Sequence, residues 1–229
     1  MLAAREGEPF LMQSFGAPNI RTFGESALRL ETGGTRSLEL QVALGRAARA
    51  LYGDPETIDA VPGLGNLTLF FDPQSNNAGY LRERMLAAFR RAQEELLSGI
   101  PDPVVIPVHY GGEDGPDLED VAQAHGLTPD DVVELHVRGE YAVFVMGFSP
   151  GFAYLGGLDV ALRTARRENP RTNVPAGSVG IGGWMTGVYP NATPGGWNII
   201  GRTEVVMFDP QRNPEALLQL GDTVRFVRA

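Results

Sequence analysis

From residue 138 onward no apolar run in this chain is long enough to form a buried helix. The runs at 140–146, 178–182, 198–201, 204–208 and 223–227 are four to seven residues each, with glycine, proline, asparagine or aspartate between them. Short apolar segments separated by turn residues build a closed β-barrel or a β-sandwich. The second half of the chain is therefore expected to be almost entirely β.

The first half has a different period. Residues 26–32 alternate as a strand does. Over 36–52, Leu40, Leu44, Ala47, Ala48 and Leu51 fall on one helical face. Residues 57–62 and 66–71 read as two strands joined by Gly63-Leu64-Gly65. A second helix is marked over 77–97 by Leu81, Met85, Phe89, Ala92 and Leu96, three or four residues apart, and residues 104–110 (VVIPVHY) read as a further strand. The order β-α-β-β-α-β suits a small ferredoxin-like unit. The segment 98–103 (SGIPDP) would link it to the β-rich half, so the expected division is 1–100 and 101–229. The strand at 104–110 could close the first unit or open the second. Two short helices come next in the chain. The second begins with Thr128-Pro129-Asp130-Asp131, a capping threonine, a first-turn proline and two acids at the positive helix end.

Composition removes several classes of function. The formal charge is −9, unsuited to nucleic acid or an anionic membrane, both of which attract positive surfaces. All nineteen basic residues are arginine, which excludes a Schiff-base lysine and a lysine-bearing phosphate loop. Without cysteine there is no thiol nucleophile, disulfide or thiolate metal site. The first residues lack the apolar core of a signal peptide, and no run approaches a membrane span, so a soluble cytoplasmic protein is expected.

Gly147-Phe148-Ser149-Pro150-Gly151 matches the G-x-S-x-G nucleophile elbow. Three features oppose that reading. The residue after the serine must donate its N–H to the oxyanion, and Pro150 has none. The elbow must lead into a helix, yet residues 151–159 (GFAYLGGLD) hold three glycines and no helical period. The histidine must come after the serine, and none lies beyond His136. Ser149 is expected as a hydrogen-bonding contact in a loop whose glycines let backbone approach a ligand, with Phe152 and Tyr154 packed inward.

The densest polar feature is an arginine cluster, Arg163, Arg166, Arg167 and Arg171, in nine residues of an otherwise acidic chain. Arginine forks suit carboxylate or phosphate oxygens, and the alternative is a solvated loop balanced by nearby acids. Glycine-rich segments at 175–183 and 193–198 flank Trp184 and Trp197 without matching any phosphate-loop pattern. His109, Glu113, Asp114 and Asp117 lie within 109–119; they could transfer protons or hold a metal, or form a turn with a solvated acidic face. No metal ligand set is assigned. His125 and His136 each end a predicted helix, where a cation suits the dipole.

The segments YGGEDGPDLEDVA, GFSPGFAYLGGL, NPRTNVPAGSVGIGG and TGVYPNATPGGWNIIGRT resemble, in order, the bacterial family of 5-oxoprolinase B subunits, also described as allophanate hydrolase subunit 1 or the KipI family. The resemblance covers most of residues 104–229. It implies an α+β chain, with an amino-terminal ferredoxin-like domain followed by a carboxy-terminal cyclophilin-like β-barrel. It further implies joint work with subunits A and C in the ATP-dependent opening of 5-oxo-L-proline to L-glutamate, with ATP and magnesium bound in the assembled complex. Two other expectations come from the same family: inhibition of a sensor histidine kinase, and a carboxyltransferase role on urea or a related amide. On the first reading the candidate catalytic set is His109, Glu113 and Ser149. The substrate- or phosphate-binding set is Arg166, Arg171, Gly177, Ser178 and Gly182, with Phe152, Tyr154, Tyr189 and Trp197 as walls. Two departures stand out. Trp184-Met185 replaces the glycine-glutamine pair expected before Thr186, and His109 stands where cysteine is common.

Overall fold

The computed structural model describes residues 18–33, 37–75, 77–97 and 102–229. The first part runs β1 (Asn19–Thr22), β2 (Ala27–Glu31), α1 (Leu38–Leu51), β3 (Asp59–Gly63), β4 (Asn66–Phe70) and α2 (Ala78–Leu97). The start of α1 is set by Ser37, whose side chain accepts from the Leu40 N–H. The apolar faces seen in the sequence do the packing: Leu40, Leu44 and Leu51 of α1 and Leu81, Met85 and Phe89 of α2 are buried together against the sheet.

That sheet has four antiparallel strands in the order β1-β2-β4-β3. Its edge differs from the β-α-β-β-α-β expectation. The strand at 104–110 does not return to it, and the outer position is filled by Asn19–Thr22, paired to β2 through Ile20 and Leu30. Arg82 of α2 secures this strand by donating to the Ile20 carbonyl. Buried Gln41 braces the β3–β4 turn. Its Oε1 accepts from the Gly65 N–H at 2.6 Å and its Nε2 donates to the Gly63 carbonyl at 3.0 Å.

The remaining elements are β5 (Val104–Tyr110), α3 (Leu118–His125), α4 (Pro129–Arg138), β6 (Tyr141–Met146), β7 (Ala153–Gly156), β8 (Arg171–Val174), β9 (Ser178–Gly182), β10 (Met185–Val188), β11 (Thr193–Gly195), β12 (Asn198–Arg202) and β13 (Thr223–Arg228). Seven strands close a barrel in the order β10-β7-β6-β13-β5-β12-β9, with β9 paired back to β10. The β5–β13 pair is parallel, Ile106 opposite Phe226, and the other pairs are antiparallel. β8 and β11 form a separate two-stranded ribbon. Alternation along the strands sends Ile106, Val108, Val143, Leu155, Val179, Ile181, Val224 and Phe226 inward.

The strand expected at 204–208 is absent. Arg212 donates to the carbonyls of Val206, Met207, Pro214 and Glu215, so those oxygens are satisfied within a compact loop rather than by a neighbouring strand. α4 begins at the capping threonine foreseen at Thr128, and the structure adds a reciprocal capping box, Thr128 exchanging hydrogen bonds with Asp131. Among the described residues no helix is long and apolar enough to cross a membrane.

Candidate functional site

The loop 147–152 joins two barrel strands, β6 and β7, and leads into no helix. Gly147 N–H donates to the Phe152 carbonyl at 3.1 Å, and Ser149 N–H reaches back to the Gly147 carbonyl at 2.8 Å. The second bond closes a three-residue turn centred on Phe148, which is held at φ 67°. A γ-turn of that sign is strained for a residue with a Cβ. It raises the Phe148 ring, 60% exposed, over the end of the barrel. Ser149 Oγ is buried without a hydrogen-bond partner. No histidine bonds it, so the hydrolase triad is not assembled.

Beneath Phe148 lies a small aromatic core separate from the main one, made of Phe152, Tyr189, Trp197, Val174 and Ile199, with Tyr154 packed against it. Phe152 is its hub. Its ring centroid stands 4.9 Å from Tyr154, 5.3 Å from Tyr189, 5.5 Å from Trp197 and 5.3 Å from Phe148, every pair edge-to-face. Each such contact adds about 0.5–1.5 kcal/mol beyond area burial. The glycines explain how so many rings fit. A side chain at Gly182 would overlap the Trp197 indole, and one at Gly195 would meet the Tyr189 hydroxyl. Gly177, at φ 80°, donates its N–H to the Tyr189 carbonyl at 2.7 Å, and Tyr189 N–H donates to the Ser178 carbonyl at 2.9 Å. Gly177 and Ser178 thus fix the backbone of a wall rather than face the cavity. Burial raises the Tyr189 phenol above its usual pKa, while a Trp197 backbone hydrogen bond and the charge of Arg166 pull the other way.

These rings enclose a cavity of about 160 Å³, which also touches Arg166, Arg167, Pro170, Gly195 and Gly196. A second, more open cavity of about 390 Å³ lies beside it, lined by Leu64, Val145, Gly182, Trp184 and Met185. The two share Tyr154, Arg166 and Trp197. Leu64 comes from the turn that Gln41 braces, so this outer compartment lies between the four-stranded sheet and the barrel.

The arginine cluster divides by a residue the sequence did not single out as a partner. Asp117, at the start of α3, is 1% exposed. Its Oδ1 accepts from Arg167 NH1 at 2.6 Å and Arg171 NH2 at 2.7 Å; its Oδ2 accepts from Arg171 NH1 at 2.8 Å and the Ile199 N–H at 2.6 Å. The bidentate bond to Asp117 holds the Arg171 guanidinium above its usual pKa. The rest of the loop is laced down as well. Arg167 N–H donates to the Gly196 carbonyl at 2.8 Å, Asn198 Nδ2 to the Ala165 carbonyl at 2.8 Å, and Gly183 N–H to the Thr164 carbonyl at 2.7 Å. Arg166, between these anchors, makes no hydrogen bond or ion pair among the described residues and lines both cavities.

His109 and Glu113 are not part of this cleft. His109 is exposed on β5, opposite Arg202, and lines a different groove of about 870 Å³ with Glu119, Asp130 and Arg228. Glu113 is exposed in the following turn. Nor does His136 act as a helix-end cation. It is fully buried, and burial alone pushes its pKa down to about 3. Thr186 Oγ1 donates to the Gly180 carbonyl at 2.9 Å, so it accepts from His136 Nε2 at 3.0 Å; His136 Nδ1 then accepts from the Tyr110 hydroxyl at 2.8 Å. The imidazole is a neutral strut between α4 and the barrel wall. Among the described residues no group of three or more histidines and carboxylates could hold a metal.

Fold and cleft together define a class: a mixed α+β protein whose closed barrel carries an aromatic cleft edged by arginine. The profile described as "Carboxyltransferase domain, subdomain C and D" matches residues 18–218. Three curated relatives are named as the B subunit of 5-oxoprolinase. That of Escherichia coli O157:H7 is 47% identical over 89% of this chain and 93% of its own. That of Haemophilus influenzae is 42% identical over 91% and 97%, and that of Bacillus subtilis 39% identical over 91% and 92%. Among solved structures, TTHA0988 superposes with a TM-score of 0.72 at 39% identity, covering 89% of this chain but only 40% of that one. The Kluyveromyces lactis urea amidolyase has a TM-score of 0.63 at 19% identity, over 93% of this chain and 15% of that chain, a likeness of fold alone. The chain belongs to the carboxyltransferase-domain family, in the branch whose curated members are named as 5-oxoprolinase B subunits.

Proposed function

We propose that this chain is the B subunit of an ATP-dependent 5-oxoprolinase, opening the lactam of 5-oxo-L-proline to L-glutamate together with subunits A and C in the cytoplasm. The observation that carries this reading is 39–47% identity to proteins of that name over about nine tenths of both chains. The cleft agrees with it in size and polarity. A cavity of about 160 Å³ is about half the lower limit for drug-sized ligands, as a single small ring requires.

ATP fits this chain poorly. A triphosphate needs several converging donors, and the two guanidiniums nearest Arg166 in the loop are both already bonded to Asp117. The wider groove sets Glu119 and Asp130 beside an Arg228 already paired to Asp130 at 2.9 Å. Nucleotide and magnesium are therefore assigned to the partner subunits. What this chain contributes is an aromatic cleft and one cation free of any carboxylate partner, Arg166; Ser149 Oγ is buried within its loop and lines neither compartment. His109 and Glu113 lie off the cleft and take no part in this scheme.

The test is co-expression with candidate subunits A and C, purification of the assembled complex, and assay of glutamate release from 5-oxo-L-proline with ATP. Activity in the complex and none from the chain alone is the expected result. An assembled complex without activity would overturn the assignment, and turnover by the isolated chain would overturn the shared site.

A further inference from the structure

The loop 163–171 is pinned at Thr164, Ala165, Arg167 and Arg171. The pins come from Asn198 of β12, from the Gly183 and Gly196 backbone and from buried Asp117. Arg166 is the residue between pins, exposed, unpaired, and bordering both the ring-lined cavity and its outer neighbour. Its charge reaches the Tyr189 phenol across the cavity. A guanidinium whose backbone is fixed on both sides, and whose donors are unspent, is pre-organised for an incoming anion. The walls beside it, Phe152, Tyr154, Tyr189 and Trp197, carry no charge, and the second cation at the cavity, Arg167, is already paired with Asp117. These walls suit an uncharged ring.

We propose that Arg166 is the carboxylate receptor of this cleft, holding the carboxylate of a small cyclic amide acid at the junction of the two compartments while the ring occupies the inner one. Arg171 lines neither compartment, and Arg167, which borders the inner one, is bonded to Asp117; with Asp117 they position the loop that presents Arg166. The inference rests on the 5-oxoprolinase reading and adds to it a specificity rule. Cyclic amides lacking the carboxylate bind the same cavity weakly and gain nothing from Arg166.

Two measurements test this. In the assembled complex, Arg166→Gln should raise KM for 5-oxo-L-proline about 10-fold or more, the value of a charge-assisted hydrogen bond, with a much smaller change in kcat. Arg166→Lys should recover part of the loss. In the isolated chain carrying Trp184→Phe, Trp197 is the remaining indole of two, and its fluorescence reports on the inner cavity. Titration with 5-oxo-L-proline should saturate and weaken by a similar factor on Arg166→Gln, while titration with 2-pyrrolidinone, the same ring without the carboxylate, should be weak in both backgrounds. An unchanged KM would overturn the proposal, as would equal losses for both ligands, because a structural disturbance has that signature. If the complex hydrolyses no 5-oxoproline, the functional reading fails, and the titration still decides the role of Arg166. No saturable response to either ligand would overturn the receptor as well.

Discussion

Replacing Asp117 by asparagine tests how the cleft is held. The carboxylate accepts four hydrogen bonds, three from guanidinium groups and one from the Ile199 N–H. Asparagine keeps one acceptor oxygen and turns an NH₂ group toward donors, leaving two arginines facing each other without a counter-charge. Removing one partner of a buried ion pair costs about 3–5 kcal/mol. Arg167 and Arg171 retain 34% and 27% side-chain exposure, so water relieves part of that, and a loss of about 2–4 kcal/mol is expected. For a chain of this length that is a fall in Tm on the order of 10 °C. Urea unfolding followed by far-UV circular dichroism should show a lower midpoint at an unchanged slope. The deficit should persist at high salt, because buried pairs are screened little. Asp130→Asn, which breaks the exposed pair with Arg228, is the control and should leave the midpoint in place. A loss below ~1 kcal/mol for Asp117→Asn, the range of surface pairs, would refute the argument that this carboxylate clamps the arginine loop.

Two further outcomes are expected from other features. Burial holds the His136 pKa near 3 in the folded state, below its unfolded value, so the unfolded chain binds a proton that the folded one refuses as pH falls below about 6.5. Stability should therefore be insensitive to His136 above neutrality and decline by up to ~1.4 kcal/mol per pH unit between about 6 and 3; His136→Gln should lack that part of the slope in paired urea titrations, and identical slopes would remove His136 as its source. Gly182→Ala places a methyl group against the Trp197 indole and should cost about 1–3 kcal/mol by overpacking, with a red-shifted tryptophan emission as the ring is displaced; an unshifted spectrum at full stability would show that the indole has room to spare.

Much of the architecture is legible in the sequence because it depends on local pattern. The faces of α1 and α2, the cap at Thr128, and the strands at 140–146, 178–182, 198–201 and 223–227 are all found where apolar period and turn residues put them. The features that escape depend on contacts distant in sequence. β7 and β10 lie among glycines; each is paired to the strand before it, β6 and β9, and the two meet side by side at Thr186 and Leu155. The edge strand Asn19–Thr22 is short and largely polar, so it carries no alternation to detect. Residues 204–208 have the composition of a strand, yet Arg212 takes up the carbonyls of Val206 and Met207. The aromatic walls can be named from sequence, since bulky rings beside glycines have few other roles. The partner of the arginines cannot: Asp117 lies 50 and 54 residues away from Arg167 and Arg171, in a stretch that reads as an ordinary acidic turn before a helix. Phe148 carries no sequence signal of its own, because it stands only as the variable residue of a serine motif.

The position of β13 in the barrel bears on how the chain reaches this structure. β5 is the first barrel strand to be made, and both of its neighbours, β12 and β13, come near residues 200 and 225. The four-stranded sheet needs nothing beyond α2 to complete its pairing and can form while synthesis continues. β5 has to wait through roughly a hundred residues with both edges open, the state in which strands recruit foreign partners. β13 then enters between β5 and β6 as the last strand of the barrel in sequence. Such long-range closure is slow. The yield of folded protein should thus depend on translation speed and chaperone supply more than the stability of the finished barrel would suggest.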